Sequence, residues 1–115
     1  QKKDYLTPLL EGKIRSCFAM TEPGYAGSNP TRMGTVAKKE NGNYIIDGHK
    51  WFTSSFDGAD FAIVMVVTDP NELNPYKRAS QIIVPTNTEG VEFVRNVSIM
   101  GQLRLSKTNI DHPLQ

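Results

Sequence analysis

Cysteine is nearly absent from this chain, since Cys17 is the only one among its 115 residues. A single cysteine excludes an internal disulfide and gives no indication of a secreted, cross-linked scaffold. Cys17 stands in an apolar run, which predicts a small buried side chain rather than a nucleophile. The two histidines, His49 and His112, show no spacing that would make either of them the base for this thiol.

Long hydrophobic stretches and an excess of one charge are also missing. The longest apolar run, Phe61–Val67, is far shorter than the ~20 residues that a membrane-spanning helix needs. The first residues, Gln1–Asp4, lack the apolar core of a signal peptide, so we expect an intracellular protein without a membrane span. The 13 basic and 12 acidic residues give a formal net charge of +1 and are scattered, which argues against nucleic-acid binding.

Helical periodicity occurs only at the start of the chain. Tyr5, Leu6, Leu9 and Leu10 share one face at helical spacing, and Gly12 is a plausible stop. A proline in their midst, at position 8, restricts this helix to a short piece or marks its first turn. We therefore predict one short N-terminal helix.

The remainder predicts a mainly β domain of seven short strands. Asn41-Gly42 is a strong hairpin signal, and Phe61–Thr68 is β-branched enough to be buried on both faces. The predicted strands are residues 16–21, 34–40, 43–48, 50–54, 61–68, 81–85 and 91–97. Such a pattern indicates a barrel or sandwich, and we favour a Greek-key-type β-barrel of short antiparallel strands. We divide the chain into residues 1–12, the end of a helical segment, a β-domain at 13–101, and a truncated or diverged tail at 102–115.

Two segments, Cys17–Ser28 and Gly48–Ser54, combine small residues, hydroxyls and aromatics between runs typical of strands. In the first, glycines such as Gly27 let the backbone approach a flat ligand closely. The second offers the face of Trp51 and the hydroxyl of Thr53. Together they favour a planar, hydrogen-bonding cofactor.

The order of these motifs resembles the middle β-domain of the FAD-dependent acyl-CoA dehydrogenases, from about Leu6 to about Gly101. The residues that carry the resemblance are Met20-Thr-Glu-Pro-Gly24, Ala26-Gly-Ser28, Lys50-Trp-Phe-Thr53 and Ala59-Asp60. It implies oxidation of the α,β bond of an acyl-CoA thioester to a trans-enoyl-CoA, with electrons passing to an electron-transfer flavoprotein. It also implies a homo-oligomer at full length, a catalytic base outside these residues, no catalytic residue within them and no metal.

The resemblance also assigns residues to the cofactor and the substrate. Flavin contacts would come from Phe18, Met20, Thr21, Gly27, Ser28, Trp51, Phe52 and Thr53. Ser28 and Thr68 would touch the acyl-CoA substrate. The chain departs from the family pattern at Phe18, where tyrosine is common, at Asn29, where aspartate is common, and by one extra residue, Tyr25 or Ala26.

Glu22 allows two interpretations, a general base or a carboxylate that caps backbone amides and orients the loop, and the second is favoured before a proline turn. Two other functions stay open. The chain could belong to an acyl-CoA oxidase or related flavin monooxygenase, or be a non-enzymatic β-barrel binding module.

Overall fold

β-Strands account for most of the regular structure in this chain, as seen in a computed structural model that describes residues 1–98 and 100. The strands are β1 (Ser16–Ala19), β2 (Val36–Glu40), β3 (Asn43–Asp47), β4 (Phe61–Val67) and β5 (Ala79–Pro85). A π-helical turn (Lys2–Leu6) leads into α1 (Thr7–Leu10), and a 3-10 turn (Pro75–Lys77) precedes β5. The predicted mainly β architecture with a short N-terminal helix is confirmed.

The N-terminal helix is short because its sequence begins and ends it early. Pro8 lies in the first turn of α1, where a backbone N–H is not needed. Gly12 ends the helix with a φ of +69° and donates its N–H to the carbonyl of Leu9 at 3.1 Å. The predicted stop at Gly12 is therefore confirmed.

The sheet is built around β4. One edge of β4 pairs antiparallel with β5, from Phe61↔Pro85 to Val67↔Ala79. The other edge is shared by β1, which runs parallel to it, and by the start of β2 at Val36↔Val67. The remaining strand, β3, pairs antiparallel with β2 through the predicted hairpin. Both turn residues have positive φ, +50° at Asn41 and +84° at Gly42, as a type I′ turn requires.

The prediction of antiparallel strands is wrong for β1 and for the β2–β4 contact, which are parallel. Local turn signals reveal hairpins, whereas parallel partners are joined by long connections that leave no such signal. The five strands form an open sheet within residues 1–98 and 100, so the predicted closed barrel is not confirmed.

Two predicted strands, at 50–54 and 91–97, are absent from the structure. The first is interrupted by the positive φ of Phe52 (+51°), which strand geometry does not allow, and Ser55, directly after this segment, also has a positive φ (+66°). The second, which we predicted from its alternating apolar residues, has no strand partner within the described residues, although Phe93 stacks on Phe56 at 5.8 Å between ring centroids.

The buried core is small and is formed by residues of β1, of β4 and of the turn that precedes β4. Cys17 packs there with Ala59 and Ala62, and Val66 of β4 is fully buried. The prediction that Cys17 is a small buried side chain is confirmed, and burial raises the pKa of its thiol. No helix in residues 1–98 is long and apolar enough to cross a membrane. The predicted tail at 102–115 lies outside the described residues, and the domain boundaries stay predictions.

Candidate cofactor site

The two motif segments meet at the end of β1. The Trp51 N–H donates to the carbonyl of Thr21 at 3.0 Å, and the Thr21 hydroxyl donates to the carbonyl of Trp51 at 2.5 Å. These bonds join residues 30 positions apart in sequence, so the predicted convergence of the segments is confirmed. Because the Thr21 proton is used in this pair, its oxygen lone pairs are what remain for a ligand.

Glu22 anchors the loop that follows Thr21. Its carboxylate accepts hydrogen bonds from the Gly34 N–H (2.5 Å), from the Thr35 N–H (2.9 Å) and hydroxyl (2.5 Å), and from the Lys50 ammonium (2.7 Å). The side chain is only 4% exposed. Burial by itself would raise the pKa of Glu22, but the hydrogen bonds, that from Lys50 foremost, outweigh it and lower the pKa to about 2.

This environment decides between the two interpretations of Glu22. A carboxylate that accepts four hydrogen bonds and has a pKa of about 2 is a poor proton acceptor near neutral pH. The interpretation that Glu22 caps backbone amides and orients the loop is confirmed by the bonds to Gly34 and Thr35.

The network also brings the predicted substrate residue Thr68 to the same end of the sheet. Thr35, which binds Glu22, accepts a hydrogen bond through its carbonyl from the Val67 N–H at 2.8 Å. Thr68 follows directly, and its hydroxyl lies 2.7 Å from that of Ser80. Because β1 and β4 run parallel, Thr21 and Thr68 both follow the carboxyl ends of their strands.

Close backbone packing shapes the glycine-rich loop. A Cβ on Gly27 would lie 2.9 Å from the Cγ2 methyl of Thr21, so only glycine fits there without displacement. The ring of Tyr25, near the extra residue of this loop, covers Gly34 in the same way. Asn29 accepts bonds from the N–H (3.0 Å) and hydroxyl (2.6 Å) of Thr31, which closes the next turn.

The opposite segment presents an aromatic face next to Thr53 in the sequence. Trp51 and Phe52 are 39% and 51% exposed, with ring centroids 4.7 Å apart. Phe52 holds a φ of +51°, a costly conformation for a bulky residue that is often found at binding sites. The half-buried Thr53 hydroxyl has no hydrogen-bond partner among residues 1–98 and 100.

Other predicted cofactor residues differ in their exposure. Phe18 points outward from β1, Met20 is half-buried, and Ser28 is exposed in its loop. Neither Trp51 nor Phe52 lines either of two shallow cavities, one of about 240 Å³ lined in part by Ser80 and one of about 260 Å³ lined by residues of both motif segments, including Glu22 and His49. The aromatic face is therefore an open surface of this chain. No cluster of three metal-binding side chains occurs in the described part of it.

Sequence reasoning missed two residues that organise the site, Lys50 and Thr35. Lys50 stands inside a quoted motif, and its conspicuous signal is a cation next to a predicted strand end. Thr35 carries no signal in the sequence, because its role depends on the approach of Glu22 and of Gly48, where a Cβ would collide with the Thr35 side chain.

Comparison with known proteins identifies the family of this chain. The sequence model described as the acyl-CoA dehydrogenase middle domain matches residues 17–111. The chain belongs to the acyl-CoA dehydrogenase family. Acyl-CoA dehydrogenase family member 11 from Gallus gallus is 44% identical over 105 residues, which are 90% of this chain and 14% of that relative. The chain thus spans about a seventh of the length of this curated family member.

Solved structures of acyl-CoA dehydrogenases share the fold. One assigned to this family from Mycobacterium abscessus matches with a TM-score of 0.82 and 41% identity, over 88% of this chain and 25% of that one. A glutaryl-CoA dehydrogenase from Mycobacterium smegmatis, solved in complex with FADH2, matches with a TM-score of 0.66 and 32% identity, over 77% of this chain and 21% of that one.

Proposed function

We propose that this chain is the middle domain of an FAD-dependent acyl-CoA dehydrogenase, which oxidises the α,β bond of an acyl-CoA thioester to the trans-2-enoyl-CoA. The observation that carries the proposal is the pair of hydrogen bonds that joins Thr21 to Trp51. It sets a backbone edge, an aromatic face and the Thr53 hydroxyl side by side on an exposed surface. Family membership and the FADH2 bound to a 32% identical relative support the same cofactor.

The residues present fit a flavin ring. The Thr53 hydroxyl, which has no hydrogen-bond partner in the described part of the chain, can donate a hydrogen bond to a ring nitrogen, and Trp51 and Phe52 can cover apolar ring surface. Met20 and Thr21 would border the polar edge of the ring, and Phe18 would flank it. Gly27 and Ser28 would allow close approach of backbone to the pyrophosphate. When bound, FAD would accept the hydride from the β-carbon of the substrate.

The chain's own contribution is binding and orientation. Ser28 and Thr68 would contact the thioester and the CoA portion of the substrate. Thr53 would hold a hydrogen bond at the reacting edge of the cofactor, while Trp51 excludes water from it. Glu22 is committed to the loop, so the base that removes the α-proton would come from outside these residues.

The remaining parts of the proposal concern the assembled enzyme. We infer that the open sheet closes into a barrel in the complete protein, and that the enzyme is a homo-oligomer. Electrons would pass from the reduced cofactor to an electron-transfer flavoprotein. Other parts of the assembled enzyme would pack against the aromatic face and the open edge of the sheet.

The test uses the protein expressed from the whole reading frame that encodes this chain. We expect bound FAD after purification and acyl-CoA-dependent reduction of an electron-transfer flavoprotein. Thr53→Val should weaken FAD binding and slow reduction, while Thr53→Ser keeps the hydroxyl and most of both. Hydrogen peroxide as the main product would assign an oxidase instead. A protein that binds no flavin would leave only a binding module and overturn the proposal.

A further inference from the structure

Lys50 and Glu22 form an ion pair that is almost completely removed from solvent. Their charged atoms are 2.7 Å apart, and the side chains are 11% and 4% exposed. By contrast, the Lys13–Glu11 pair at the same 2.7 Å separation lies on the surface, with side chains 70% and 48% exposed. The two ion pairs therefore have the same N–O distance but differ in their exposure to solvent.

Stability alone does not account for the buried pair. Desolvating two charges costs as much as their attraction returns, and apolar replacement of such a pair is often neutral or stabilising. The benefit of the pair therefore lies in the geometry that it imposes.

That geometry concerns the two segments of the candidate site. The Lys50 ammonium donates to the Met20 carbonyl at 2.9 Å and to the Glu22 carboxylate at 2.7 Å, so it binds both neighbours of Thr21. The next residue, Trp51, binds Thr21 itself in both directions. Two adjacent residues of one segment thus hold three consecutive residues of the other.

The far side of Glu22 fixes this assembly to the sheet. Its carboxylate binds the N–H of Gly34 and both donors of Thr35, a residue that is only 2% exposed. Thr35 is bonded in turn to Val67 at the end of the central strand β4. Movement of the Thr21–Trp51 pair relative to the sheet would break several of these bonds together.

We propose that the Glu22–Lys50 pair is the positioning device of the flavin site: it sets the register of Thr21 against Trp51 and so the placement of the Thr53 hydroxyl. The inference rests on the proposed function for the identity of the ligand. Glu22 and Lys50 act through their neighbours and are positioning residues, with no direct part in the chemistry.

The decisive comparison is between stability and cofactor binding in three variants of the whole protein. Glu22→Gln and Lys50→Met each leave a buried group without its partner and should lower the unfolding midpoint in urea. The double variant Glu22→Gln/Lys50→Met removes both charges and should recover part of that loss, because no buried charge is left without its partner while one backbone N–H still faces the introduced amide nitrogen. We expect its dissociation constant for FAD to stay raised by about tenfold, because the bonds to Met20 and Glu22 are gone.

Three further readouts separate positioning from general stabilisation. Amide hydrogen exchange at Trp51 should accelerate in the double variant while the β4–β5 amides keep their protection. The visible spectrum of bound FAD should shift, because the hydrogen bonds to its ring change. The surface pair supplies the matched control, and Glu11→Gln/Lys13→Met should leave FAD binding, the spectrum and Trp51 exchange unchanged.

The outcomes distinguish this inference from the proposal beneath it. If the unmodified protein binds no FAD, both the proposed function and the role of the Glu22–Lys50 pair in flavin binding are overturned. If the unmodified protein binds FAD and the double variant shows the same affinity, spectrum and Trp51 exchange, the positioning role alone is overturned.

Discussion

Acid should destabilise this protein largely through one carboxylate, Glu22. Its pKa is lowered from the ordinary 4.5 to about 2 in the folded chain, so the folded state favours the ionised form. The stabilisation is fully present above the unfolded value and is lost as the pH falls through the folded value. The displacement corresponds to about 3 kcal/mol in total, of which about 2 kcal/mol is lost by pH 3.

Urea unfolding at a series of pH values between about 7 and 3 measures this contribution. Glu22→Gln keeps the shape of the side chain but removes its titration. The variant should therefore be less stable than the unmodified chain at neutral pH, and the gap should narrow by about 2 kcal/mol towards pH 3. Glu11→Gln, at an exposed ion pair, is the control and should follow the unmodified chain throughout.

A constant gap between the unmodified chain and Glu22→Gln across this pH range would refute the reasoning. It would mean that Glu22 ionises equally well in the folded and unfolded chains. The hydrogen bonds from Lys50 and Thr35, at 2.7 and 2.5 Å, would then only offset the effect of burial on the pKa of Glu22 instead of outweighing it.

Three other predictions follow from the fold and the site. Gly42→Ala should lower the free energy of unfolding in urea by about 1 kcal/mol, because φ is +84° at this position. The control Gly24→Ala, at a position with open space and no positive φ, should change it by less than about 0.5 kcal/mol. Val66→Ala should cost about 2 kcal/mol because this side chain is fully buried, whereas Val94→Ala, at an exposed position, should cost almost nothing in the same assay. The 115-residue chain alone should not reduce a redox dye with acyl-CoA, since no catalytic base is assigned within it. Steady dye reduction would contradict the proposal that the base lies outside these residues.

The turns and the order of the motifs could be predicted from the sequence because each depends on a few adjacent residues. Asn41-Gly42 specifies its own hairpin through two positive φ angles, and Gly12 ends its helix in the same local way. The same locality explains the failure at 91–97, where alternating apolar residues predicted a strand. Alternation shows that one face can be buried, but a strand also needs a partner whose identity lies elsewhere in the chain.

The sequence by itself therefore determined the mainly β class, the family and the two segments that carry the candidate site. Only the tertiary structure decided that β1 lies parallel to β4 and that Glu22 binds Lys50 and Thr35. The physical reason is the range of the interactions involved. Turns and caps are set between neighbours, whereas a buried charge acquires its partner and its pKa only when distant segments exclude water together.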